Sequence, residues 1–199
     1  MNTLTCCKTL FLSTALVALL FTAVAAADVE ESETGVTFPE TLKVGDTTVK
    51  LTGTAYREKW FVNVYGVAHY GDPAAKPEAT DTRGKLDHWH KVKAAKAIVM
   101  KFVRGVDIGK IQDAWEETLE KGDYQGDNKQ SLLDAFKTDL KKGSYIRFEA
   151  TADGTLTAIQ DDATLGTWKD PELVEVLWGA WMGKDVVIGG QKNLVSREL

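Results

Sequence analysis

Arg57 is the residue best suited to chemistry in this chain, because it interrupts two otherwise apolar, strand-like runs between Leu51 and Tyr70. A guanidinium is a planar fork of donors. It meets a carboxylate with two parallel hydrogen bonds and cannot shed its charge to escape burial. Tyr56, Tyr65 and Tyr70 lie close to it in sequence, and each carries a phenol able to donate to the same anion. Arg57, Tyr65 and Tyr56 are therefore the candidate ligand-binding residues. A surface arginine paired with Glu58, and tyrosines packed into a central strand, are the structural readings of the same residues.

Other chemistries have less to work with. Asp87-His88-Trp89-His90 would put two imidazoles on one face of a strand, a possible start of a zinc or copper site. A third ligand and supporting groups would also be required, and His69 is the only other histidine. The pair is expected at an exposed hairpin, with no metal and no cofactor. No glycine-rich phosphate loop follows a strand, and no Gly-x-Ser-x-Gly elbow occurs. Trp168, Trp178 and Trp181 could line a cleft, but their spacing favours core packing.

Gly53-Thr-Ala55-Tyr-Arg57, followed by an aromatic-rich strand ending in Tyr65-x-x-x-x-Tyr70, resembles the strand pair of the chalcone isomerase-like family. Thr37-Phe38-Pro39, Asp153-Gly-Thr-Leu-Thr157 and Leu177-Trp-Gly-Ala-Trp-Met-Gly183 extend the likeness in the same order, closest to a bacterial exported branch. The resemblance implies an open-faced α+β sandwich: a largely antiparallel sheet, helices over one face, and an arginine pointing into a cleft between the layers. In the plant enzymes that arginine acts with a threonine on the next strand and with a tyrosine, a lysine and an asparagine around the following helix. Tyr65 stands at the threonine's place. Between Asp107 and Ala114 there is neither tyrosine nor asparagine, and Lys110 is the only basic candidate. If the chain were an isomerase, Arg57 and Tyr65 would be its catalytic residues. The pattern is closer to the family's fatty-acid-binding members, which fix a carboxylate with an arginine and a tyrosine.

The elements that must position these residues can be read from periodicity. Thr48 to Thr52 alternates as a half-buried strand, and Trp60 to Tyr70 is apolar on both faces, as a doubly covered central strand would be. Gly71 to Lys85, with Pro73 and Pro77, reads as an irregular loop, and Lys96 to Val103 as another strand. Asp107 can cap a helix with Ile108, Ile111, Trp115 and Leu119 inward. Ser131 to Leu140 gives a second helix. A hairpin over Ser144 to Gln160 turns at Asp153-Gly154. A last helix is capped by Asp170, starts at Pro171 and has Gly183 as a left-handed stop.

Residues 1–27 read as a secretory signal, with Lys8 before the apolar run Leu10 to Val24 and small residues at Ala23 to Ala27. Residues 28–35 follow as an acidic, mobile leader, and 36–199 as one domain. The apolar run is shorter than the roughly 20 residues of a spanning helix, so no stable membrane span is expected after cleavage; an uncleaved anchor is the alternative. Cys6 and Cys7 both fall in the signal, leaving no thiol or disulfide beyond it. Removing Lys8 takes the formal net charge from −5 to −6, a poor match for nucleic acid. Interspersed charges also argue against a polybasic membrane patch.

The sequence thus points to an exported protein, periplasmic or secreted, that binds a small apolar carboxylated or phenolic ligand without chemistry. A chalcone isomerase-type intramolecular lyase and a structural or partner-binding envelope protein are the alternatives. Cleavage is expected after Ala25 or Ala27. Intact-mass measurement on protein from its native compartment checks this, and a retained Leu10 to Val24 segment would contradict it.

Overall fold

A computed structural model of the protein describes residues 28–184, 186 and 188–199. The expected signal, residues 1–27, lies outside the described residues. β1 (Val29–Glu30) pairs with β2 (Thr37–Phe38) in a small hairpin. The seven strands β3 (Thr41–Val44), β4 (Thr47–Lys59), β5 (Val62–Gly71), β6 (Lys96–Phe102), β7 (Tyr145–Ala150), β8 (Thr155–Gln160) and β9 (Ala163–Lys169) then form one sheet in chain order. Every neighbouring pair is antiparallel. Four helices complete this α+β arrangement: α1 (Thr82–Lys91), α2 (Ile108–Lys121), α3 (Lys129–Ala135) and α4 (Pro171–Met182).

Strand alternation sorts the core into two clusters, one for each face of the sheet. Ile98, Met100, Phe102, Ile146, Phe148 and Leu156 join the buried residues of all four helices, including Trp89, Trp115, Leu132 and Trp181. Phe38, Val49, Leu51, Ala68, Tyr70, Ala97 and Val99 form the second cluster beneath the N-terminal hairpin. β5 and β6 contribute to both, so the double coverage expected of Trp60 to Tyr70 holds from Gly66 onward, whereas Trp60 and Phe61 form an exposed turn ahead of β5 and Val62 is exposed.

Local chemistry sets the helix ends. Asp107 accepts from the Gly109 amide at 2.8 Å to open α2, and Asp170 accepts from Leu173 at 3.0 Å to open α4. Gly183 ends α4 for a different reason from the one expected: its φ is −65°. A Cβ there would lie 2.4 Å from the Gly179 carbonyl oxygen, so close approach requires the glycine.

Several segments depart from the sequence reading: the helix expected over Ser131 to Leu140 runs over Lys129–Ala135 and ends at extended Phe136, with Leu140 in a bridge to Val106. The stretch 28–35, expected as a mobile leader, contributes β1, and the buried Glu31 carboxylate accepts from the amides of Glu33 and Thr34 at 3.2 and 2.9 Å. Residues 82–91 form α1 rather than loop and hairpin. Asp81 caps it by accepting from Gly84 at 2.9 Å, and Leu86 and Trp89 carry its buried face. Ala163–Lys169, unassigned from the sequence, is the edge strand β9.

Under α1 the core holds polar groups. Lys96 is 1% exposed, donates to the carbonyls of Trp89 and His90 at 2.9 and 3.1 Å, and sits 4.9 Å above the Trp178 ring. Buried His69 places Nδ1 2.6 Å from Thr52 Oγ1, which donates to the Leu194 carbonyl at 2.6 Å. Burial pushes Lys96 down to about 7, and burial together with the Lys96 charge pushes His69 well below the usual imidazole range.

The unfolded lysine titrates near ~10.4, so above about pH 7 the unfolded state binds the extra proton and stability rises with pH. Urea midpoints should increase from about pH 7 to about pH 9, and Lys96→Met should flatten that rise. An unchanged slope in the variant would remove Lys96 as its source.

Candidate functional site

One strand irregularity aims Arg57. Leu51 pairs with Tyr70 and Gly53 with His69, so β4 carries one extra residue, Thr52, against β5. Val49 and Leu51, before the bulge, belong to the cluster under the N-terminal hairpin; Ala55, after it, belongs to the helix-side cluster. Arg57 shares the parity of Ala55 and faces the helices. A second shift between Arg57 and Glu58 inserts Val64 on β5, and Lys59 then pairs with Val62. Arg57 is opposite Tyr65, and Tyr65 is opposite Phe102, making a cross-strand row on the helix side.

This row forms one wall of a cavity of about 1260 Å³ between the sheet and helices α2 and α4. Typical small-ligand clefts occupy roughly 300–1,000 Å³, so there is room for an elongated ligand. Met100, Phe102, Ile111, Trp115 and Trp181 line it as buried residues and make its depth apolar. Lys59, Trp60, Arg104, Lys110, Glu117 and Lys121 line it as exposed residues and make its rim.

Polar groups stand where depth meets rim. Half-buried Arg57 donates Nη1 to the Glu58 carbonyl at 3.1 Å. The Tyr65 ring lies 5.3 Å from that of Phe102. Burial raises the Tyr65 pKa, while the Trp181 indole hydrogen-bonded to it and the Arg57 charge oppose that rise. Tyr65 is thus a neutral phenol at neutral pH, able to donate. Lys121 hydrogen-bonds Glu117 and holds its carboxyl below the usual range, with smaller effects from Lys59 and Arg57. Those cations therefore face α2 across the rim.

Of the expected ligand-binding residues, Arg57 and Tyr65 line the cavity together, and Tyr56 does not. Tyr56 has the opposite strand parity from Arg57, and its backbone bridges Gly189, where a Cβ would meet the Tyr56 ring at 2.5 Å. Tyr70 also lies away from the cavity, donating to the Pro39 carbonyl at 2.9 Å. Lys110 reaches the rim, as do Arg104 and Lys121, which sequence reasoning missed. Trp181 is both core and cavity wall; Trp178 is core, and Trp168 donates to Ser131 at 2.5 Å.

His88 and His90 are two residues apart on a helix, not a strand, and so point to different sides. His88 Nε2 lies 2.7 Å from the Ala75 carbonyl and His90 Nε2 3.0 Å from that of Glu175. Among the described residues no group of three or more His, Cys, Asp or Glu could hold a metal ion.

The chalcone isomerase-like family pattern matches residues 30–194, and the chain belongs to that family. Among solved structures, the fold is similar to that of the fatty-acid binding protein AtFAP1 from Arabidopsis thaliana, with a TM-score of 0.72 at 18% sequence identity. The match covers 85% of this chain and 96% of that one. No curated protein sequence matches the chain significantly.

Proposed function

We propose that this member of the chalcone isomerase-like family binds a fatty-acid-like ligand without catalysis, with its carboxylate at Arg57 and Tyr65 and its tail in the apolar depth. The observation that carries this reading is a single cavity whose buried lining is Met100, Phe102, Ile111, Trp115 and Trp181 and whose polar edge holds a permanent cation beside a phenol. The fatty-acid binding protein of the same fold supports the ligand class. The signal-like pattern of residues 1–27 supports export, to the periplasm or beyond.

Affinity in such a site divides unevenly. Each buried methylene contributes about 0.8 kcal/mol, so ten give roughly 8 kcal/mol gross. A hydrogen bond to a charged group contributes about 1.5–3 kcal/mol. The tail should therefore dominate affinity while Arg57 selects the head group. Arg57→Ala should weaken a fatty acid roughly tenfold or more and the matching alcohol much less; shortening the tail should weaken both. Calorimetric titration of both ligands against both proteins completes the cycle. Equal losses for acid and alcohol would remove Arg57 as the carboxylate reader.

The absence of catalysis rests on what stands around the arginine. Each positioned donor missing from a site that stabilises developing negative charge costs a factor of about 10²–10³ in rate. Tyr65 replaces the plant threonine, and neither a tyrosine nor an asparagine occurs between Asp107 and Ala114. Purified protein should close a chalcone far below the roughly 10⁴ M⁻¹s⁻¹ at the low end of typical enzymes. Efficiency at or above that level, abolished by Arg57→Ala, would make the protein a lyase instead.

A further inference from the structure

Trp60 and Phe61 are the two central residues of the turn between β4 and β5, with φ of 54° and 62°. A two-residue hairpin turn with both φ positive is the conformation for which Asn-Gly is the favoured pair. Bulky aromatic residues are disfavoured there, since Cβ crowds the following carbonyl. Solvation opposes them as well: Trp60 is 84% exposed and Phe61 95%, with Val62 beside them at 44%. These are the exposed large hydrophobic residues among the described part of the chain. Trp60 borders the cavity rim, but most of its surface and nearly all of that of Phe61 face solvent, and a surface outside the molecule that covers them would offset both costs.

Charge at the same place indicates what kind of surface supplies it. Lys59 flanks the tip, and Arg57, Arg104, Lys110 and Lys121 stand around the adjoining cavity rim. These cations are dispersed in sequence and come together only through the fold, within a chain of net charge −5. Near them Glu117 is paired with Lys121 at 2.6 Å and Asp107 caps α2, so the cationic excess at the tip rests on Lys59, Arg57, Arg104 and Lys110, with Glu58 as the acid beside them.

We propose that the Trp60-Phe61 tip inserts into the headgroup region of an anionic lipid bilayer, holding the cavity rim against the membrane. Tryptophan favours that depth, where its ring is sheltered and its N–H stays wet, and lysine and arginine complement anionic headgroups. The shape also fits lipid. A tip of two or three side chains projecting from a hairpin suits a soft layer, whereas a stable protein interface needs about 800 Å² from each partner. Docking stands on the tip itself and is independent of the ligand reading. If that reading holds as well, a lipophilic ligand would pass between bilayer and cavity without crossing bulk water.

The test is co-sedimentation of protein isolated from its native compartment with phosphatidylcholine vesicles, with and without phosphatidylglycerol, at low and high salt. Wild type should bind the anionic vesicles in a salt-sensitive manner. Brominated acyl chains should quench fluorescence that is absent in Trp60→Asn. Replacing both residues, Trp60→Asn with Phe61→Gly, supplies the favoured turn pair, so folding and thermal midpoint should be kept or improved while partitioning falls roughly tenfold or more. Phe61→Gly alone should lower partitioning and leave calorimetric affinity for a dissolved fatty acid unchanged, because Phe61 does not line the cavity. Absence of vesicle binding by wild type, or equal binding by the double variant, would overturn the proposal. So would a wild-type dimer that the double variant dissolves, since the tip would then be a protein interface.

Discussion

The cavity depends on one extra residue in β4. Were Thr52 paired regularly instead of bulged out between Leu51 and Gly53, the alternation that buries Val49 and Leu51 under the N-terminal hairpin would carry Arg57 to that same face. The bulge is held by more than strand pairing. The C-terminal 3-10 turn, Gln191–Val195, crosses so near that a Cβ on Gly53 would lie 1.8 Å from the Asn193 carbonyl oxygen. Thr52, the inserted residue, donates to the Leu194 carbonyl and accepts from the Arg197 amide at 2.9 Å through its own carbonyl. The C-terminal segment thus pins the register that aims Arg57.

The same crossing explains the polar core beside it. Thr52 reaches His69 on β5, His69 packs against Trp89 with ring centres 5.2 Å apart, and Lys96 donates to the carbonyl of Trp89. Two groups whose charged forms are disfavoured lie under one short helix, and their mutual repulsion disfavours both charges together. α1 has few buried side chains of its own, Leu86 and Trp89. Its seat depends on the lysine bonds to its last carbonyls and on Arg83, which reaches the Met182 and Gly183 carbonyls at 2.8 and 3.1 Å at the end of α4. Capping α4 with an arginine from α1 ties the two helices that flank the cavity's inner end.

What could be read from sequence follows from which signals are local. Asp107 and Asp170 announce α2 and α4 because a cap is a contact within one turn, and the apolar spacing behind each is regular. α1 also has a cap, Asp81, but only two apolar positions behind it and two prolines ahead, so composition suggested a loop. β9 is largely exposed along the sheet edge and contains Gly166, against which the Trp168 ring folds; it offered no alternation to detect. Tyr56 was misplaced for a reason visible beforehand, because adjacent residues on a strand point to opposite faces. Arg104 and Lys121 had no local signal, since one follows β6 and the other ends α2 and the cavity rim alone relates them.

The resemblance carried by Gly53-x-Ala55-x-Arg57 has a physical meaning position by position. Glycine permits the close crossing at the bulge, alanine keeps the helix-side face small between bulge and cavity, and arginine arrives where the apolar wall begins. Such a scaffold fixes the direction of a cation but does not specify a reaction. Arg57 can hold an anion, and the phenol of Tyr65, kept neutral by burial, can donate to it. His90, whose Nε2 donates to the Glu175 carbonyl, is likewise pushed below its ordinary pKa by burial and meets the cavity from the end of α1. The register of two strands thus places a cation and a phenol side by side on the cavity wall. Between Asp107 and Ala114 this chain contributes Lys110 to the rim and Ile111 to the wall.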